Sequence, residues 1–247
     1  MKAQYPKKKW GQNFLIDKNI TNKIITALKL KKSDSILEIG PGKGALTNEI
    51  SGKVNLVTAV EIDKSLCEYI SKKKYINTDI INSDILKVNI EKLLCNKIIG
   101  NLPYYITTPI IFKFLESSLK WEKMFFLVQK EVAERITAQS GGKIYGRLSI
   151  MAQIFSDIKI LFNVSPNCFN PIPKVESSLI QFKRANRYKI INHKYFAESI
   201  RTIFNQRRKK IKNTLPKEIL INKNIDKTLL DKRPEQITID EFVKLIN

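Results

Sequence analysis

Four consecutive residues near the middle of the chain combine an amide, a backbone made rigid and a flat ring: Asn101, Leu102, Pro103 and Tyr104, within KIIGNLPYYITTPI. The exocyclic amine of a nucleobase is a poor nucleophile because its lone pair is delocalised into the ring. An amide oxygen and a backbone carbonyl that accept its two hydrogens favour a pyramidal nitrogen with a localised pair. Asn101 Oδ1 and the Leu102 carbonyl are of the right type for this. Pro103 restricts the backbone that aims the carbonyl, and Tyr104 offers a face on which a base can stack. Such a site needs no general base, since the nitrogen proton becomes acidic on alkylation; positioning and electrostatics carry the catalysis. Taken alone, the same four residues also read as a strand-ending turn with a capping Asn and a core Tyr.

A second group is Gly40-Pro41-Gly42-Lys43-Gly44, placed between an apolar run and a helical pattern. Small residues there let backbone amides and a helix start approach a polar ligand. Glu61 stands where an acid can accept hydrogen bonds from ribose hydroxyls. The spacing is G-x-G-x-G rather than the G-x-G-x-x-G of a pyrophosphate loop, and Glu38 lies just upstream, which suits a cationic ligand better than a diphosphate. S-adenosylmethionine fits: it carries adenosine, a sulfonium and an amino-acid zwitterion, and no phosphate. Asp84 is then placed to accept from the adenine amine. Without a ligand the loop is a tight turn. Asp63 reads as a helix N-cap rather than a ligand.

The elements that must position these groups alternate. Ile16, Ile20, Ile24 and Leu28 have helical spacing. SILEIG, VNLVTAVEID, NTDIINSDIL, NKIIGN and KMFFLVQ read as strands, separated by helical patterns in ALTNEIS, KSLCEYISKK and TPIIFKFLESS, with KEVAERIT following. This alternation predicts an α/β fold with a parallel sheet covered on both faces. Its ligand crevice lies at the carboxyl ends of the strands, so Asn101 should face the methyl donor. Beyond Gly141-Gly142, a helix in YGRLSIMAQIF, a strand in DIKILFNV, a Pro-rich loop SPNCFNPIPK and a strand in SSLIQFKR precede a basic, helical C-terminal region from about Tyr188.

The chain has 247 residues, 44 Lys and Arg against 23 Asp and Glu, a formal charge of +21, and an ordinary apolar fraction of 43%. This excess charge on a foldable chain points to a polyanionic partner, and with no apolar run of membrane-spanning length, nucleic acid is favoured over membrane. An AT-rich coding bias toward Lys is the alternative source of the charge. Cys67, Cys95 and Cys168 match no CxxC or CxxH spacing and there is one histidine, His193, so no metal site is expected and a reducing compartment fits. The start carries no secretory signal pattern. A cytoplasmic monomer is the expectation.

KKWGQNFL, ILEIGPGKGALT, VEID, GNLPYYITTPI, LVQKEVAERI, YGRLSIMAQ, FNPIPKVESSLI and FNQRRKKIKNTL resemble, in order, the small-subunit ribosomal RNA adenine N6,N6-dimethyltransferase family, the kasugamycin-sensitivity methyltransferases. The resemblance runs from about residue 7 to the C-terminus. It implies a Rossmann-like class I methyltransferase with a mostly parallel central sheet over residues 1–187, including a basic N-terminal arm, and a helical RNA- and ribosome-binding domain over residues 188–247. The implied activity is dimethylation of N6 of two adjacent adenosines near the 3′ end of small-subunit rRNA, on naked RNA or a pre-30S particle, as part of ribosome biogenesis. By the same resemblance Asn13 and Leu15 fold over the cofactor, Gln12 braces that loop, and Gly40, Gly42, Glu61, Ile62, Asp84 and Asn101 line the cofactor pocket. Phe169 closes the face of the target adenine opposite Tyr104, as a base held between two aromatics is a base taken out of a helix. Lys7, Lys8 and Lys9, with Arg207, Arg208, Lys209 and Lys210, are candidate phosphate contacts. Tyr105 departs from the Asn expected in the family. Two alternatives remain: a non-enzymatic assembly or transcription factor that keeps the fold, and a macrolide-resistance methyltransferase acting on large-subunit RNA.

Overall fold

A computed structural model describes residues 10–221 and 225–247. In chain order the elements are β1 (Phe14–Leu15), α1 (Lys18–Leu28), β2 (Ser35–Ile39), α2 (Thr47–Ile50), β3 (Leu56–Glu61), α3 (Lys64–Ser71), β4 (Thr78–Asn82), β5 (Lys97–Asn101), α4 (Thr107–Leu115), β6 (Lys123–Gln129), α5 (Lys130–Thr137), α6 (Arg147–Phe155), β7 (Ser156–Val164), β8 (Phe169–Asn170), β9 (Ser177–Arg184), α7 (His193–Asn205), α8 (Lys217–Ile221), α9 (Lys227–Leu230) and α10 (Ile239–Ile246).

Seven strands form one sheet in the order β4-β3-β2-β5-β6-β9-β7. From β4 to β6 every neighbouring pair is parallel. Runs such as Ile36-Leu37 and Ile98-Ile99 are apolar on successive residues because both faces of these strands are buried. β9 joins β6 antiparallel, from Lys123 opposite Lys183 to Gln129 opposite Ser177, so the sheet is mostly parallel, as the family resemblance implies. The chain winds from β2 outward to β3 and β4, then returns to place β5 on the other side of β2. That reversal puts the crevice of the sheet between the ends of β2 and β5.

The expected first helix starts later than its apolar spacing suggests. Ile16 is exposed and precedes the helix, because Asp17 is the N-cap and accepts from the Ile20 N–H at 3.0 Å. Thr21, Ile24 and Leu28 form its buried face. The other end is held by Lys97 on β5. Its Nζ donates to the Leu28 and Lys29 carbonyls at 3.2 and 3.0 Å and to Asp34 Oδ2 at 2.5 Å, with both charged side chains almost wholly buried. Burial opposes the Asp34 charge, but bonds from Lys97, the Lys31 N–H and Asn96 hold its carboxyl below the usual range. An unforeseen two-stranded ribbon pairs β1 with β8, Phe14 opposite Asn170 and Leu15 opposite Phe169.

Compact packing divides the chain differently from a cut at residue 187. One unit comprises residues up to Ala133 and Lys159–Arg184; the other comprises Glu134–Ile158 and Ala185–Asn247. Residues 134–158 therefore group with the C-terminal helices. Within the second unit, Gln153 donates to the Ile136 and Ala138 carbonyls, the Gly141 N–H donates to Glu235 O, and the Phe155 and His193 rings stack. Among the described residues no helix is long and apolar enough to cross a membrane, and no cluster of three or more His, Cys, Asp or Glu is arranged to hold a metal.

Candidate active site

At the crevice, β5 ends in Gly100 and Asn101 beside the last residue of β2. A Cβ on Gly100 would lie 2.9 Å from the Ile39 carbonyl oxygen, so only glycine lets the two strand ends approach this closely. Gly100 is a site-forming residue that the motif reading passed over. Its signal was a glycine interrupting an apolar strand.

Asn101 is half-buried, and its Nδ2 donates to the Asn13 carbonyl at 2.7 Å. This bond settles which end of the amide faces onward: Oδ1 is the acceptor still available. The Leu102 N–H donates to Leu127 O at 3.1 Å, and the Pro103 carbonyl accepts from the Ile106 N–H and Thr107 Oγ1. Among the described residues no donor reaches the Leu102 carbonyl. The Tyr104 hydroxyl lies 2.8 Å from Ser177 Oγ on β9, and burial pushes the phenol upward against that bond, so it stays neutral.

The glycine loop after β2 turns through left-handed backbone, with φ of +65° at Gly40, +58° at Gly42 and +82° at Gly44. The Phe14 ring of the N-terminal ribbon lies where a Gly42 Cβ would meet it at 3.0 Å, and Lys43 Nζ sits 4.9 Å from the centre of that ring. Glu61, the last residue of β3, accepts from the Gly42 N–H at 3.1 Å and the Asp63 N–H at 2.9 Å. Burial raises its carboxyl, and these two N–H bonds oppose the rise. Asp63 caps α3, accepting from the Ser65 N–H. Asp84 lies just past β4, not within a strand, and its Oδ1 accepts from the Leu86 N–H at 2.9 Å.

These groups surround one cavity, whose empty space, open solvent included, is about 730 Å³. Asn13, Gly40, Gly42, Glu61, Ile62, Asp84, Asn101, Leu102, Pro103 and Tyr104 all line it, together with Trp10, Gly11, Gln12, Phe14 and Tyr105. Two carboxylates face it, and no Lys, Arg or His does among the described lining residues. A neighbouring cavity, about 550 Å³ with open solvent included, shares Phe14, Gly40, Gly42 and Asn101 and adds Glu38 and Lys43. Glu38 is buried, accepts from Thr47 Oγ1 at 2.7 Å, and is pushed up to about 7 by desolvation.

Two expected site residues are placed elsewhere. Leu15 borders the smaller cavity, not the larger. Phe169 is 1% exposed, paired with Leu15, and belongs to the core cluster with Ile24, Leu28 and Phe125; it lines neither cavity. Its position beside a strand of the ribbon makes it a core side chain in this state. Trp10, Phe14 and Tyr105 were not singled out as cofactor or catalytic residues. All three are aromatics adjoining recognised motifs, which was the available signal.

Of the candidate phosphate contacts, Lys7, Lys8 and Lys9 lie outside the described residues. Arg207 is half-buried, with Nε 3.6 Å from Glu235 and an N–H directed to the Gly142 carbonyl. Lys210 pairs with Asp231 at 3.1 Å. Arg208 and Lys209 are exposed.

Residues 4–247 match the family described as Ribosomal RNA adenine dimethylase. The chain belongs to this family. It is 43% identical to the Ribosomal RNA small subunit methyltransferase A of Caldanaerobacter subterraneus subsp. tengcongensis, over 98% of this chain and 96% of that one. Among solved structures it is similar to a dimethyladenosine transferase from Plasmodium falciparum, with a TM-score of 0.82, 25% identity, and coverage of 94% and 95% of the two chains. The fold extends to the 23S rRNA methyltransferase ErmE, at a TM-score of 0.69 and 22% identity, over 95% of this chain and 99% of that one. As a member of the adenine dimethylase family the chain is a methyltransferase that uses S-adenosylmethionine, on a Rossmann-like α/β fold.

Proposed function

We propose that this adenine dimethylase transfers methyl groups from S-adenosylmethionine to N6 of two adjacent adenosines near the 3′ end of small-subunit rRNA, twice on each. The observation that carries the chemistry is the pairing of an oriented amide with an unengaged carbonyl at the rim of an acidic cavity. Asn101 Oδ1 and the Leu102 carbonyl are the two acceptors, Asn101 being held by the Asn13 carbonyl and Leu102 by its bond to Leu127.

The cavity fits the methyl donor. A site for a diphosphate needs cations or free loop amides, whereas here two carboxylates face in and the Gly42 N–H is already given to Glu61. Glu61 accepts from the Gly42, Asp63 and Ile62 N–H groups, and the lone-pair capacity of a carboxylate leaves room for a ribose hydroxyl. Asp84 keeps Oδ2 for an adenine amine, while Ile39, Val60 and Ile85 supply apolar wall. When bound, the cofactor supplies an electrophilic methyl group on a cationic sulfur. Lys43, at the smaller cavity, would face the carboxylate of its amino-acid end.

The chain's own contribution is to localise the amine lone pair through Asn101 and Leu102 and to stack the base on Tyr104. The neutral Tyr104 hydroxyl is held by Ser177, so the ring is fixed rather than ionised. The amine proton leaves to water after alkylation, so no side chain must take it. A second transfer to the same nitrogen needs room for the first methyl and replacement of the spent donor. Residues 188–247 as an RNA-binding region, contacts from Arg208 and Lys209 to phosphates, a pre-30S substrate, a monomeric state and a cytoplasmic site complete the reading. The charge of +21 supports an RNA partner.

The test is to incubate the chain with labelled S-adenosylmethionine and either undermethylated small subunits or large-subunit RNA, then map the product by nuclease digestion and mass spectrometry. Dimethyladenosine at adjacent small-subunit positions is expected; label in large-subunit RNA alone would overturn the target. Asn101→Ala should slow transfer about a hundredfold or more, the scale of removing one preorganised polar group, while RNA binding is kept. Near-wild-type turnover would refute the amide's role.

A further inference from the structure

The segment Trp10–Phe14 lines the larger cavity, and its attachments come from three separate strand ends. Gln12 Nε2 reaches Asp63 Oδ2 at 3.3 Å beyond β3, the Asn13 carbonyl takes the Asn101 amide at the end of β5, and Phe14 lies on the glycine loop after β2. A further attachment is made by Tyr105. The ring edge of Tyr105 lies over Gly11, so that a Cβ built there would meet Cδ1 at 3.2 Å and Cε1 at 3.4 Å, and Gly11 itself has a φ of +55°. Tyr105 is otherwise 56% exposed.

The turn that carries it is firm. The Ile106 N–H and Thr107 Oγ1 both bond the Pro103 carbonyl, and Tyr104 is tied to Ser177, so Tyr105 projects from a fixed base onto the strap. Neighbouring residues thus serve two directions: Tyr104 faces the β9 side and Tyr105 faces the N-terminal strap.

We infer that Tyr105 is a positioning residue, which latches the Gly11 strap over the cofactor cavity and so keeps the Asn13 carbonyl where it orients the Asn101 amide. The inference rests on the cavity being the methyl-donor site. Its consequence is coupling: holding the donor and presenting the amide oxygen to the base depend on one closed strap. The ring does this, not the hydroxyl.

Trp10 reports the strap directly. It lines the cavity, whereas the chain's other tryptophan, Trp121, is buried and bonded to the Phe114 carbonyl. S-adenosylhomocysteine is titrated against wild-type, Tyr105→Phe, Tyr105→Ala and Gly11→Ala chains, following tryptophan emission and its quenching by acrylamide, with circular dichroism as the check on folding. Tyr105→Phe should behave as wild type. Tyr105→Ala should weaken binding about tenfold, the loss of one aromatic covering contact, and leave Trp10 open to quencher; Gly11→Ala should move the same way. In methyl transfer Tyr105→Ala should raise KM for the donor and also lower kcat, because the amide loses its orienting partner. Wild-type affinity together with wild-type shielding of Trp10 in folded Tyr105→Ala would overturn the latch. A wild-type chain that binds no S-adenosylhomocysteine would instead overturn the cofactor site on which it rests.

Discussion

Replacing Glu38 by Gln should make the chain more stable, by an amount that depends on pH in a specified way. Glu38 is 2% exposed on β2, its Oε2 takes the Thr47 hydroxyl, and the like-charged Glu61 acts on it through space. Desolvation is the largest influence on it, with the Thr47 bonds opposing and Glu61 adding, and the result is a rise from 4.5 to about 7. The folded chain therefore keeps this proton over a range in which the unfolded chain has released it. Stability is present in full below the unfolded value and falls as pH rises through the folded one. At about 1.4 kcal/mol per unit the loss is about 3 kcal/mol when complete, a large part of the roughly 5 to 15 kcal/mol by which domains are stable. Glutamine keeps an acceptor for Thr47 and has no charge to desolvate. Urea unfolding of both chains from about pH 5 to about pH 8 should show the variant's advantage growing toward about 3 kcal/mol. Other groups that titrate, Glu61 among them, are present in both chains and largely cancel. A constant offset between the two curves would refute the assignment of this pH dependence to Glu38.

Lys97→Met should destabilise the chain by about 3 to 5 kcal/mol in the same assay, because it leaves the Asp34 carboxylate and the Leu28 and Lys29 carbonyls without their shared donor. Stability unchanged within about 1 kcal/mol would show that the pair is no better than an apolar replacement. Arg208→Glu with Lys209→Glu should weaken RNA binding and reduce the slope of log affinity against log salt by about two. Arg207→Ala should leave that slope nearly unchanged, since Arg207 is engaged by Glu235 and the Gly142 carbonyl; an equal loss of slope for Arg207 would place it on the RNA with its neighbours.

What could be read from residues alone depended on how local the determining interactions were. The strands β2, β3, β5 and β6 were legible because burial on both faces demands short apolar runs such as Lys97–Asn101 and Lys123–Gln129, bounded by turn residues. The grouping of Gly40, Glu61, Asp84 and Asn101 at one cavity followed from their places at or just past strand ends in a parallel sheet. Ile16 misled because a periodic apolar residue is also acceptable one step before an N-cap, and only the side chain of Asp17 decides where the helix starts. The β1–β8 ribbon was illegible: two-residue strands carry no period, and their partners are far apart in sequence. Tyr105 was visible as a residue but not as a contact, since Gly11 gives no sign of what lies over it.

That ribbon also sets a timetable. Phe14 and Leu15 are made before any strand of the main sheet, yet their partners Asn170 and Phe169 are made only after β2 to β7 have all been completed. Pairing across so long a loop carries a closure entropy that only a largely formed sheet can repay. The glycine loop and the Asn101 turn can be in place while the N-terminal segment still has no strand to join. In a growing chain the cover of the cavity is therefore among the last parts to settle, although it is translated before the strands that it waits for.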